Sequence, residues 1–134
     1  MSKPNFTGSW THNPERSKLE IPMPTYSLFH FEHEGPTLRL TRTLTFGDKG
    51  NTITLDLVID GEEHLHQVAG VNANIRMYWD GDTLVGDMKV SGPDGDATNV
   101  VRYWLEDDGL RLVALERFNS PQQNYENTWV LDRQ

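Results

Sequence analysis

Asn74-Ile75-Arg76-Met77-Tyr78-Trp79-Asp80-Gly81-Asp82-Thr83-Leu84-Val85-Gly86-Asp87-Met88-Lys89-Val90-Ser91 is the stretch whose pattern decides the fold. Apolar and polar side chains alternate along it, and Asp80-Gly81 interrupts the alternation. Asp-Gly is a strong short hairpin signal, because a two-residue hairpin turn needs positive φ at its central positions. Successive side chains of a strand point to opposite faces. A hairpin here therefore puts Ile75, Met77, Trp79, Leu84, Met88 and Val90 on one apolar face. The same punctuation recurs at Glu34-Gly35-Pro36, Gly47-Asp48-Lys49-Gly50-Asn51, Asp60-Gly61, Gly70-Val71-Asn72, Gly92-Pro93-Asp94-Gly95, Asp108-Gly109 and Asn119-Ser120-Pro121. Between the turns lie runs rich in Val, Ile, Thr, Leu and aromatics. They predict strands near 6–12, 25–33, 37–46, 51–59, 62–68, 74–79, 82–91, 97–105, 110–118 and 124–133. No stretch sustains a helical period, and Pro14, Pro22 and Pro24 make residues 14–24 an extended crossing loop. A row of hairpins with no covering helix must bury its apolar face against itself, and closure removes exposed edges. The expectation is an all-β chain, a closed antiparallel meander β-barrel of about 8–10 strands, with a two-sheet sandwich as the rival.

A length of 134 residues fits one domain spanning 1–134. The chain has no cysteine, which excludes disulfides, thiolate metal sites and cysteine nucleophiles and fits a reducing compartment. Met1-Ser2-Lys3-Pro4-Asn5 has no apolar signal region, and no apolar run approaches the roughly 20 residues of a membrane span. A cytoplasmic protein is expected. Twelve Lys and Arg against 20 Asp and Glu give a formal net charge of −8, which argues against nucleic acid and against an anionic membrane surface as partners.

Alternation also assigns the other faces. In 37–46, Leu38, Leu40, Leu44 and Phe46 share their face with Arg42; in 51–59 the buried set is Ile53, Leu55, Leu57 and Ile59. In 25–33 it is Phe29, Phe31 and His33. A hairpin at Asp108-Gly109 places Val101, Tyr103, Leu105, Leu110, Leu112 and Ala114 inside and carries that face to Glu116. A two-residue turn at Asp60-Gly61 pairs Ile59 with Glu62, Leu57 with His64 and Leu55 with His66, so all three polar residues point inward. A three-residue turn using Glu62 would turn both histidines outward. In simple meander order Arg42 lies two strands from His64, about 10 Å at ordinary strand spacing. An apolar wall interrupted by Arg42, His64, His66, Tyr103 and Glu116 suits a wet cavity, since unpaired polar groups are costly in a dry core.

Phe6-Thr7-Gly8-Ser9-Trp10 resembles the Gly-x-Trp signature of the calycin superfamily of lipocalins and fatty-acid-binding proteins. The ordered set Gly8-Ser9-Trp10, Ser17-Lys18, Glu32-His33-Glu34-Gly35-Pro36, Asp60-Gly61-Glu62-Glu63-His64 and Trp79-Asp80-Gly81-Asp82-Thr83-Leu84 is similar to small bacterial lipocalin-like proteins of that superfamily. The resemblance implies a barrel in which Trp10 plugs one end beneath Arg133, from the closing run Trp129-Val130-Leu131-Asp132-Arg133. About ten strands match the fatty-acid-binding count more closely than the eight of lipocalins. The proline-rich segment has no counterpart of the helical lid of fatty-acid-binding proteins. Near the C-terminus the paired arginine and tyrosine that grip a fatty-acid carboxylate are missing, so fatty-acid binding is not inherited.

His64-Leu65-His66 has the i, i+2 spacing of β-sheet metal sites, with Glu62 or His33 to complete a set; two histidines lining a polar pocket would look the same. No cofactor is required by the pattern, and a divalent metal on His64 and His66 is the one cofactor it offers. Arg42 suits an anionic headgroup, or an internal ion pair with Glu62 or Glu116. Glu116, its pKa raised by burial, would make a general acid–base pair with a nearby histidine, or serve structure alone. No phosphate-binding glycine loop or Gly-x-Ser-x-Gly elbow is present, and Gly92-Pro93-Asp94-Gly95-Asp96 lacks the register of a calcium loop. The expected ligand-binding set is His33, Arg42, Glu62, His64, His66, Tyr103 and Glu116. Three functions fit: binding of a small, partly apolar molecule with or without an anionic group, a hydrolase or isomerase built on the inward histidines and a carboxylate, and a structural barrel with a filled core. On the outer face Trp104 opposite Val113 and Leu115 opposite Arg102 form an apolar strip that suits a homodimer.

Overall fold

Each of these turns ends a strand, and the strands follow one another around a barrel. The computed structural model describes residues 3–68, 70–92 and 95–134, so the Pro93-Asp94 tip lies outside the described residues. The strands are β1 (Gly8–His12), β2 (Tyr26–Glu34), β3 (Thr37–Phe46), β4 (Lys49–Val58), β5 (Glu63–Val68), β6 (Val71–Asp80), β7 (Thr83–Gly92), β8 (Gly95–Glu106), β9 (Arg111–Asn119) and β10 (Asn124–Arg133). They form one antiparallel sheet in the order β4-β3-β2-β1-β10-β9-β8-β7-β6-β5. The result is an all-β, nearly closed barrel with no α-helix among the described residues.

The deciding hairpin pairs Asp80 with Thr83 and Trp79 with Leu84, so its turn residues are Gly81 and Asp82, one position later than expected. The register thereby slips by two. A slip of two keeps every side chain on its face, and Ile75, Met77 and Leu84 are buried. At Asp108-Gly109 the register is as expected, with Leu105 opposite Leu112 and Val101 opposite Glu116. The connection is longer there, a 3₁₀ turn with Asp107 and Asp108 at positive φ, and Leu110 is expelled from the inner face.

One barrel end is closed by aromatics. Trp10 and Phe6 are fully buried, the Trp10 indole N–H donates to the Phe6 carbonyl at 3.0 Å, and Phe6 packs on Phe31, Trp79 and Tyr103. The Arg133 guanidinium lies 4.1 Å from the Trp10 ring centroid and donates to the Thr7 carbonyl at 3.0 Å. Gly8 makes that approach feasible: its φ is +139°, and a Cβ there would sit 2.7 Å from Arg133 Nη1. Residues 13–25 contain no helix. Lys18 bridges to Thr128, the Val130 amide donates to Ser17 Oγ at 2.9 Å, and Leu19 and Ile21 pack on the core.

The Asp60-Gly61 hairpin does not form, and β4 and β5 are the two ends of the sheet. The expected pairs Ile59–Glu62, Leu57–His64 and Leu55–His66 are absent from the ladders. The reason is where the link is anchored: the Ile59 amide donates to the Pro36 carbonyl at 2.6 Å, and the Gly61 amide donates to the Met77 carbonyl at 2.9 Å. Ile59–Gly61 thus crosses from the β3 side to β6 instead of folding back. Arg76 Nε fixes the Gly61 carbonyl at 2.9 Å, and Asp60 Oδ1 accepts the Glu62 amide at 2.9 Å.

Candidate functional site

Inside the barrel lies a cavity of about 130 Å³. Leu40 from β3 and Ile53 and Leu55 from β4 form one wall; Val68, Ile75 and Met88 from β5, β6 and β7 form the wall across the gap. Strand alternation explains both walls, since each of these residues is an inward position of its strand. Gly86 also faces this space, and a Cβ there would lie 3.0 Å from Met77 Sδ.

The polar part of the lining is Arg42, Asn99 and Tyr103, with Glu116 behind it. Glu116 is 5% exposed. Its Oε1 accepts from Asn127 Nδ2 and Trp129 Nε1, both at 3.0 Å, and its Oε2 accepts from Asn99 Nδ2 at 3.0 Å. Arg42 Nη1 stands 3.8 Å from the same Oε2, and its guanidinium carbon is 4.9 Å from each of the Phe29 and Trp129 ring centroids. Burial alone would push the Glu116 carboxyl up. The Arg42 charge and the hydrogen bonds from Trp129, Asn127 and Asn99 outweigh it and hold the carboxyl below its ordinary value. The expected raised pKa is therefore reversed, and Glu116 is suited to fixing a cation rather than to donating a proton. Burial pushes the Tyr103 phenol up to about 12, so it is a neutral hydroxyl. Two of these lining residues each keep one buried atom without a hydrogen-bond partner, Arg42 its Nε and Asn99 its Oδ1.

The remaining expected residues separate. His64 pairs with buried Ile75 and His66 with buried Ala73, so both take the inner-face parity through β6 rather than β4, but the His64 side chain is 43% exposed and neither histidine lines the cavity. His64 Nε2 meets Asp60 Oδ2 at 2.8 Å, while His66 Nε2 is buried and unpartnered. Glu62 is exposed, in the link between β4 and β5 rather than on the inner face, because the hairpin that would have aimed it inward is absent. His33 belongs to the closed end: its ring stacks on Phe6 and Trp79, and its Nδ1 accepts the Phe6 amide at 3.2 Å. Among the described residues no three His, Cys, Asp or Glu side chains are grouped to hold a metal ion. On the outer face Trp104 lies opposite Val113 and Leu115 opposite Arg102, and Val113 is buried within that strip.

Asn99, Asn127 and Trp129 were missed as site residues. The signal existed: continuing the inward face of β8 from Tyr103 through Val101 reaches Asn99, and continuing β10 back from Trp129 reaches Asn127.

No protein-family model matches the chain, and no curated protein matches it. Solved structures do. A secretary abundant heat soluble (SAHS) protein from Ramazzottius varieornatus superposes with a TM-score of 0.68 at 14% identity, over 100% of this chain and 98% of its own. Human cRBP IV gives 0.65 at 14% identity, over 98% and 99%. Zebrafish ileal bile acid-binding protein, in complex with cholic acid, gives 0.61 at 14% identity, over 96% and 98%. At that identity the likeness is one of architecture: the chain shares the ten-stranded antiparallel barrel fold of these proteins.

Proposed function

We propose that the protein binds a small, partly apolar molecule inside its barrel. The observation that carries this reading is the cavity of about 130 Å³, whose mainly apolar lining includes Arg42 and Asn99, each with one buried polar atom, Nε and Oδ1, left without a partner. An apolar void of about 150 Å³ accommodates benzene, so the space suits a guest of roughly that size. A buried polar atom without a partner costs the fold about 1–3 kcal/mol, a cost removed when a guest supplies the bond. The bile acid-binding likeness in zebrafish supports the same class of activity. The hydrolase or isomerase reading has less support, because Glu116, the one buried carboxylate among the described residues, already accepts three hydrogen bonds.

Toluene is a suitable first probe. In an NMR titration the shifts should concentrate at cavity residues such as Leu40, Ile53 and Met88. Leu55→Trp should fill the space from the edge strand β4 and abolish the response, with the fold retained by circular dichroism. Shifts scattered over the surface, or unchanged in the folded variant, would overturn the reading.

A further inference from the structure

Among the described residues Arg42 is the only cationic side chain on the cavity lining, and its charge is not free. Glu116 stands 3.8 Å away with a carboxylate that has no other cation near it among the described residues. The Asn99 amide is oriented by the same carboxylate. Its Nδ2 donates to Glu116 Oε2, which leaves Oδ1, an acceptor, turned away from that bond and buried. Arg42 and Asn99 converge on one oxygen, Glu116 Oε2, so the two side chains lie beside the same carboxylate. Between them these two lining residues carry one N–H donor and one acceptor without a partner.

Resting on the ligand-binding reading above, we infer that the cavity selects a neutral guest with an apolar body and a hydroxyl head, and rejects a carboxylate. A hydroxyl both accepts and donates. It takes the Arg42 Nε–H and gives its own proton to Asn99 Oδ1. An ionised carboxylate only accepts, so it leaves Asn99 Oδ1 unpaired and brings a second negative charge beside Glu116. Beside the buried Glu116 carboxylate that like-charge contact is costly. A plain hydrocarbon leaves both protein atoms unsatisfied. Of the two partners expected for Arg42, an anionic headgroup or an internal carboxylate, the structure supplies the carboxylate of Glu116.

The test is a calorimetric titration at neutral pH with benzyl alcohol, benzoate and toluene, which share one ring and differ in the head. Benzyl alcohol should bind roughly tenfold more tightly than toluene, the gain from two ordinary hydrogen bonds, and benzoate more weakly than either. In Asn99→Leu the advantage of the alcohol over toluene should disappear while toluene still binds. In Glu116→Gln the Arg42 charge is released, so benzoate should gain at least tenfold relative to benzyl alcohol. Benzoate binding at least as tightly as benzyl alcohol to the native protein, or toluene matching the alcohol, overturns this inference and leaves the ligand-binding reading standing. Failure of all three compounds to bind overturns both. Because Asn99→Leu tests the head-group pairing by itself, a Glu116→Gln chain that does not fold leaves the inference open to refutation.

Discussion

The closed end of the barrel and the cavity behind β4 and β5 are built on opposite principles. At the closed end, Phe6, Trp10, Phe31 and Trp79 pack ring against ring, and the polar atoms that enter are paired: Trp10 Nε1 with Phe6, Arg133 with Thr7 and Gly109, His33 with Phe6. At the cavity, Arg42 and Asn99 each keep a buried polar atom without a partner, as does His66 on β5, and two strands lack a neighbour on one side. The comparison teaches where this sequence invests its stability and where it gives some up. Unsatisfied groups persist in folded proteins mainly where function uses them.

The largest expected effect lies at the closed end. Trp10→Ala should lower the unfolding free energy by about 3–5 kcal/mol, read from urea denaturation. A loss under about 1 kcal/mol would mean that this end is not the stable half and would break the comparison. Next comes the buried ion pair. Glu116→Leu alone should cost about 3 kcal/mol, since it strands Arg42, whereas Glu116→Leu combined with Arg42→Met should recover most of that loss. Additive losses in the double-mutant cycle would show that the pair does not act as a unit.

Gly8→Ala should cost about 1–3 kcal/mol, the usual strain of a side chain held at positive φ, with the Cβ also 2.7 Å from Arg133 Nη1. The shift in thermal midpoint should vanish in an Arg133→Ala background only as far as the contact, not the backbone strain, is responsible. The smallest effect is the dependence on acidity. Burial lowers the pKa of His33 from 6.5, with a partial offset from the Gly35 backbone, and burial lowers that of His12. Their unfolded forms thus bind protons before their folded forms do. Stability is full above about pH 6.5 and declines as the pH falls below it toward the depressed folded values. Glu116 adds a second decline, starting near the ordinary carboxylate range and continuing below it as the pH falls through its lowered folded value. Urea midpoints measured from pH 7.5 to 4 should show this, and His33→Leu should flatten the upper part of the curve. A midpoint that rises on acidification would contradict both assignments.

The strands and most faces were legible in the sequence because alternation is robust. A hairpin slip of two, as at Gly81-Asp82, leaves every side chain where the pattern put it. The connection at Asp60-Gly61 was not legible. The same dipeptide turns a hairpin or crosses a gap, and the choice is made by distant partners, the Pro36 and Met77 carbonyls. His64 and His66 still take the inner-face parity, since β6 imposes what β4 was expected to impose. Glu62, with no ladder around it, had nothing to hold its orientation. The Arg42–Glu116 pair spans β3 and β9. Alternation gives both residues the inner face, but which carboxylate meets the arginine depends on the curvature of the closed sheet.

The interruption between β4 and β5 changes the mechanics of the whole ring. A sheet hydrogen-bonded all the way round has its circumference fixed by strand spacing, about 4.7–4.9 Å for each ladder, and can widen only by breaking bonds. This ring is split. The β3–β4 flank and the β5–β6 flank can move apart or together with every ladder bond intact, and the short link Ile59–Gly61 holds them at one end. The motion available is that of a cuff hinged at Gly61, smallest there and largest at the far tips that carry exposed Phe46 and Val71. The girth of the barrel is thus not fixed by a closed ring of ladders, and the enclosed volume can change with every ladder in place.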